Sequence, residues 1–513
     1  MIFRYNESAG ISSLDPAFSK DQALIWACSQ LYNGLIQLDS NLVVQPCIAK
    51  RWTISDDGKT YTFVLRNDIL FHKSPFFKTA DSTRCVTAQD FVYSFKRILD
   101  PDIASPGLWI FNDVADNGFE AINDTTLVIR LKQPFSPFLS LLGMTYCSVV
   151  PHEVVEHYKT DFRSHPCGTG PFQFQLWKEG VKLVLRKNPN YFECDSTGQR
   201  LPYLDAVAVT FIVDEQTIFL EFVKGNLDFM NSIKPSYKDE ILTRTGQLKS
   251  KYANRINMTS TPFLNTEYLG FNMEQGNSAL NDRRIRQAIN YGFDRAKMMK
   301  YMRNNIGVPG CHGFIPAGLP GFDTTADYGY KYDPDKALKL LREAGYPNGK
   351  GLPTLTLSTT ANYADLCKYI QQQLGLLGFD IKIDVNPPAS LREQMAQGKS
   401  SWFRGSWIAD YPDAENYLSL FLSDNKSPAG PNYTHFDKSD YDRLYRAAKN
   451  ETDESQRIKL YQKMDRMIMD EAPVVVLYYD QILHFTHKNV SGLRSNAMNA
   501  LDLRSVKIEF GER

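Results

Sequence analysis

A chain of 513 residues with 43% apolar and 23% charged residues has a globular composition and is too long for one compact core. Lys plus Arg equals Asp plus Glu at 58 each, and this zero net charge argues against a nucleic-acid binder, which carries a basic excess or stripe. No run of 18 apolar residues occurs, so no transmembrane helix is expected.

In chain order, Ile2–Tyr5 reads as a strand. Leu24, Ala27, Cys28 and Leu31 follow the i, i+3, i+4, i+7 rule and predict an amphipathic helix ended by Asn33-Gly34. Short β runs follow at 42–44 and 61–65. Thr87 with Asp90 three residues later is a capping-box pattern, which predicts a helix over VTAQDFVYSFKRIL. With an alternating strand at 127–131, residues 36–165 read as an α+β module. The glycines of Cys167-Gly168-Thr169-Gly170-Pro171-Phe172 lack the third glycine, the Gly-Lys-Ser/Thr and the following helix of a phosphate cradle, so a tight turn is expected. A strand over 206–213 and a helix over 215–224 come next.

A second region, α/β in pattern, begins near Leu264 with the strand TEYLGFN. One long helix is expected over 282–301, with Ile285, Ala288 and Ile289 inward. Asp333-Pro334 starts another, with Ala337, Leu340 and Leu341 inward and Gly345 at its end. A strand at 355–357, a helix at 363–377 and a strand at 381–385 imply a parallel sheet. A helix over 454–469 is stopped by Pro473, and a strand follows at 474–479. The eight cysteines form no C-x-x-C pair and the eight histidines are dispersed, so neither a metal nor a cofactor is expected. Spacing alone does not assign disulfides.

The stretch SWFRGSWIADYPDAENYLSLFL carries the most functional information. Strand alternation puts Arg404, Ser406, Ile408 and Asp410 on one face, with Phe403, Trp407 and Ala409 on the other. One face then has a cation near its start and an anion at its end, complementary poles for a molecule with an ammonium and a carboxylate. Two plainer readings stay open. Arg404 could pair with a carboxylate of the protein, and Asp410 could begin a turn or cap a helix over 414–422. Acid pairs such as Asp413 and Glu415 read as solvated turn residues. Aromatics reach 12%, with 27 Tyr; most pack a core, and Tyr and Trp also line recognition clefts.

Several ordered blocks resemble the peptide-binding proteins of ABC importers, the dipeptide and oligopeptide family of extracellular solute-binding proteins. They are LYNGLIQLDSNLVVQPCIAKRWTISDDGKTYTFVLRNDILFH, VTAQDFVYSFKRILDP, GTGPF, YLGFN, DRRIRQAINYGFDRAKM and YDPDKALKLLREAGYP, running along nearly the whole chain. The resemblance implies two α/β lobes around a cleft, a periplasmic-binding-protein-like fold with an extra α+β module inserted in the first lobe. The first lobe would comprise residues 1–35, the module 36–165, then 166–262 and the return 480–513; the second lobe would span 263–479. Crossings near Tyr268 and Val476 would form a hinge that closes on ligand. A short peptide ligand, membrane permease subunits, a monomer and no catalysis are implied.

The resemblance also assigns residues. Asp410 matches the aspartate that binds the ligand α-ammonium, and the backbone of Ser406, Trp407 and Ile408 would pair with the peptide as an added strand. Arg404 falls where relatives can place a cation. Lys20, Asp21 and Gln22 stand at the cleft-lining segment of the first lobe, and Trp109 and Asn362 are further transfers. Lys20 and Asp21 are more charged than expected there, and Ser406 replaces the usual glycine, which bears on ligand length. The family acts in the periplasm or lipid-anchored at the cell envelope. The opening MIFRYNESAG shows no signal peptide; read literally this implies the cytoplasm, and read as an export signal replaced by a methionine it implies nothing about location. Relatives also carry sugars, nickel chelates or haem; the carboxylate at 410 favours an ammonium ligand. A hydrolase is the alternative from another class, but no G-x-S-x-G or H-E-x-x-H motif occurs.

Overall fold

A computed structural model describes residues 1–232, 235–274 and 278–509. The chain forms two compact units. The first holds Met1–Lys238, Ser250–Thr261 and the chain from Ile482 onward; the second holds Asp239–Lys249 and Pro262–Gln481. Two long strands, Ile256–Phe271 and Val474–His487, contain unit boundaries.

In the first unit the strand Ile2–Asn6 runs parallel to Ala206–Thr210, which pairs antiparallel with Lys182–Lys187 and through it Phe172–Lys178. Against this sheet lies the helix Gln22–Leu31, burying the predicted Leu24, Ala27, Cys28 and Leu31. Its buried polar groups find backbone acceptors: Trp26 Nε1 donates to Asn499 O and Gln30 Nε2 to Leu501 O, both at 2.7 Å. A four-stranded antiparallel sheet, ordered Ala49–Ile54, Thr60–Leu65, Thr126–Leu131, Val114–Asn123, is packed by the helix Ala88–Leu99. That helix starts at the predicted capping box, where the Asp90 carboxylate accepts the Thr87 N–H at 2.8 Å.

The glycines at 168 and 170 do not make a tight turn. Neither has a positive φ, and the segment runs hard against the end of the Gln22–Leu31 helix. Gly170 N–H donates to Leu31 O at 2.9 Å, and a Cβ on Gly168 would lie 2.1 Å from the same oxygen. Close backbone approach, rather than conformational freedom, requires glycine here.

In the second unit the strand Trp402–Ile408 pairs antiparallel with Asn265–Phe271, and Leu355–Thr359 runs parallel to Ile381–Val385. The sheet is therefore mixed rather than parallel. The helix expected over 282–301 is two helices, Arg283–Tyr291 and Arg295–Arg303. Asp294 breaks it: its carboxylate accepts Lys297 N–H at 3.0 Å and caps the second helix. Ile285, Ala288 and Ile289 join a core with Leu341, Leu357, Ile370, Leu374 and Trp402. The helix expected over 414–422 is a single turn, Glu415–Leu418, followed by a 3-10 turn.

The helix Glu454–Glu471 ends at Ala472, in the left-handed region just before Pro473. It buries Asp465, which accepts the Phe314 N–H at 2.7 Å and the Tyr328 hydroxyl at 3.3 Å. A Cβ on Gly313 would meet Asp465 Oδ2 at 1.6 Å, so the loop closes over the carboxyl only as glycine. Burial pushes this carboxyl up to about 7, against the hydrogen bonds it accepts. The folded state holds the proton more tightly than the unfolded chain, so this stabilisation is complete below about pH 4 and is lost as pH rises through about 7. Urea unfolding across that range should show wild type losing stability relative to Asp465→Asn as pH rises; parallel profiles contradict this.

Candidate ligand-binding site

The strand Trp402–Ile408 begins in the core and ends in solvent. Trp402 and Phe403 are fully buried, Ser406 is exposed and Ile408 is 51% exposed. Its register pairs Ile408 with Asn265, Trp407 with Thr266 and Ser406 with Glu267. Ala409 N–H donates to Leu264 O at 2.9 Å, and Asn272 N–H to Ser401 O at 3.0 Å. Antiparallel alternation then turns the backbone groups of odd-numbered residues toward that partner and those of Arg404, Ser406 and Ile408 toward the opposite edge. There the neighbouring strand Leu355–Thr359 is in register only at Ser358 with Phe403. Beyond that point, among the described residues, Ser406 and Ile408 face no strand. The backbone of Trp407 is turned toward Thr266, which corrects the expectation that all three residues offer their backbone to a ligand.

Asp410 follows directly, exposed at the strand end. Its N–H donates to Asn416 Oδ1 at 3.2 Å, and Asn416 Nδ2 donates to its Oδ2 at 3.4 Å. The carboxyl reaches solvent, yet the surrounding chain displaces enough water to raise its pKa; the Asn416 bond works against that rise. The turn behind it is pinned by Glu415, whose buried carboxylate accepts the hydroxyls of Tyr411 and Tyr445. Asp413 accepts the Glu415 N–H at 2.8 Å. These two acids are built into the protein rather than solvated; burial raises both.

Arg404 takes the plainer of its two readings. Its guanidinium pairs with Glu267 and stacks on Tyr363, 3.3 Å from the ring centroid. The side chains are 11% and 3% exposed. Glu267 Oε1 also accepts from Asn265 Nδ2 at 3.2 Å and the Tyr363 hydroxyl at 3.3 Å. Burial pushes Glu267 up while the guanidinium draws it down, and Glu267 in turn raises Arg404. Arg404 is thus held by the protein's own carboxylate.

The other expected residues are dispersed. Asp21 caps the Gln22–Leu31 helix through Leu24 N–H at 3.1 Å, beside exposed Lys20. Gln22 Nε2 donates to Asn499 O at 3.3 Å and its Oε1 accepts from Asn231 at 3.4 Å. Trp109 is 36% exposed on a 3-10 turn of the first unit. Asn362 is exposed in the second unit, next to the Tyr363 that carries Arg404. Sequence reasoning missed Glu267, Tyr363 and Asn416; only Glu267 gave a signal, as a lone charge in an apolar strand. Among the described residues no group of three or more His, Cys, Asp and Glu could hold a metal ion, and no helix is long and apolar enough to cross a membrane.

Residues 43–429 match the bacterial extracellular solute-binding proteins, family 5 Middle, and the chain belongs to this family. Glutathione-binding protein GsiB of Salmonella typhi is 27% identical over 490 residues, covering 94% of this chain and 90% of that protein. Di/tripeptide-binding protein 2 of Pseudomonas aeruginosa is 27% identical over 521 residues, covering 98% and 94%. Among solved structures, the periplasmic binding protein DppA of Helicobacter pylori, in complex with the peptide STSA, aligns with TM-score 0.79 and 26% identity over 99% of this chain and 98% of that one. HbpA2 of Haemophilus parasuis, at 22% identity and TM-score 0.84 over 99% and 100%, shares the fold. The two-lobed α/β class expected from the sequence is the class of these structures.

Proposed function

We propose that this solute-binding protein captures short peptides through a free α-ammonium and passes them to the permease of an ABC importer, without catalysis. The observation that carries the reading is Asp410 at the end of a strand whose outer edge, at Ser406 and Ile408, faces no strand among the described residues. An extended peptide can add to that edge by main-chain hydrogen bonds, which give affinity without choosing side chains. Its ammonium then meets the Asp410 carboxylate, a charge-assisted bond that a neutral sugar does not offer. The 26–27% identical relatives named for glutathione and for di- and tripeptides, and the one solved in complex with STSA, are consistent with this class. Lys20, Asp21, Gln22, Trp109 and Asn362 are assigned as further contacts by the family resemblance. The protein acts outside the cytoplasmic membrane as a monomer, free in the periplasm or lipid-anchored.

Arg404, neutralised by Glu267, does not read the peptide's terminal carboxylate in this account. Thermal-shift and competition measurements with STSA, glutathione, the dipeptide Met-Leu, a neutral disaccharide and C-terminally amidated STSA test these points. At least one free-amine peptide is expected to stabilise the protein and the sugar to do nothing. Arg404→Met should leave any difference between free-acid and amidated STSA unchanged; loss of that difference returns Arg404 to the ligand. STSA incubated with the protein should stay intact, and released amino acids would overturn the non-catalytic assignment.

A further inference from the structure

The carboxamide of Asn416 is placed where it controls what Asp410 presents to solvent. Asn416 is 5% exposed and sits on the turn Glu415–Leu418, which the Tyr411 and Tyr445 hydroxyls fasten through Glu415. Trp407 Nε1 donates to Asn416 Oδ1 at 2.8 Å, and Asp410 N–H donates to the same oxygen at 3.2 Å. An indole N–H and a backbone N–H can only donate, so the amide orientation is fixed by its partners. The amino group must then face the other way, and there it donates to Asp410 Oδ2 at 3.4 Å. One carboxamide therefore ties the last turn of the strand, the half-buried Trp407 ring and one oxygen of the Asp410 carboxylate. Among the described residues the second carboxylate oxygen has no such tether.

We propose that Asn416 is a positioning residue for ligand capture, holding one Asp410 oxygen so that the other is aimed at the ligand ammonium. The inference rests on the proposed role of Asp410 and adds the group that sets its geometry. Asn416→Asp removes the donated bond while keeping the side-chain length. An aspartate keeps an acceptor for Trp407 and for the Asp410 N–H, so the local fold is retained, but it places a like charge against Asp410 Oδ2.

The readout is the ratio of affinities for STSA and N-acetylated STSA, together with the Asp410 titration followed by carboxyl NMR in the free protein. In Asn416→Asp the ratio should fall by about tenfold or more, because a bond to a charged group is lost and the carboxylate turns. Asp410 should titrate at higher pH than in wild type, while the Trp407 indole resonance keeps its hydrogen-bonded shift. A purely structural role would weaken both peptides equally and leave the ratio intact. Asn416→Ser, which shortens the side chain without adding charge, should also lower the ratio if the aspartate variant does not fold. Discrimination in wild type that survives unchanged in the variants overturns the assignment of Asn416 alone. Absence of discrimination in wild type overturns the role of Asp410, and this inference with it.

Discussion

Asp410→Asn is expected to weaken binding of STSA, or of whichever free-amine peptide binds best, by about 2–5 kcal/mol, roughly one and a half to three and a half orders of magnitude. The substitution keeps shape but removes the charge proposed to lie opposite the ligand ammonium and turns one acceptor oxygen into a donor. A peptide covering the strand end excludes water there, so the unpaired ammonium loses solvent as well as partner. Because surrounding protein raises the Asp410 carboxyl, wild-type affinity should fall as pH drops through a value above that of an ordinary aspartate. Asp410→Asn should lack that acid limb. Calorimetry at several pH values tests both points, and affinities within threefold of wild type would remove Asp410 from the site.

Glu267→Gln is expected to destabilise the fold by about 3–5 kcal/mol, since it strands the Arg404 guanidinium in a site where that side chain is only 11% exposed. Arg404→Met should cost a similar amount by leaving the buried Glu267 unpaired. Combining Glu267→Gln with Arg404→Met should cost much less than the two single changes added, because no uncompensated charge remains. Urea unfolding of the four proteins measures this coupling. Single variants that each lose under about 1 kcal/mol would show that the pair is not a buried ion pair.

Local features were legible in the sequence because their causes are local. The Thr87–Asp90 box and the Leu24–Leu31 stripe need only neighbours within one or two turns. Asp294 shows the limit of this: the apolar stripe runs past it, but an aspartate capping a new turn outweighs periodicity. Gly168 and Gly170 were misread because what crowds them, the Leu31 backbone, lies far off in sequence. The mixed sheet is a matter of register, which strand patterns do not reveal.

The site shows the same division. The strand, its alternating faces and the terminal Asp410 were legible from periodicity. The partner of Arg404 was not, since Glu267 lies 137 residues away and meets it only through strand pairing. Asn416 escaped notice for a different reason. It is near in sequence, but its contacts depend on a chain reversal that brings a short helical turn back over the strand end.

Whether a peptide is recognised by its free α-ammonium is decided by calorimetry of wild type with STSA and its N-acetylated form. If STSA is not itself bound, the best free-amine peptide of the panel and its N-acetylated form take its place. The acetylated peptide is expected to bind about 30-fold or more weakly, a loss comparable to that of Asp410→Asn, and Asp410→Asn to be nearly indifferent to acetylation. Equal affinity of wild type for the two peptides would contradict recognition through the α-ammonium.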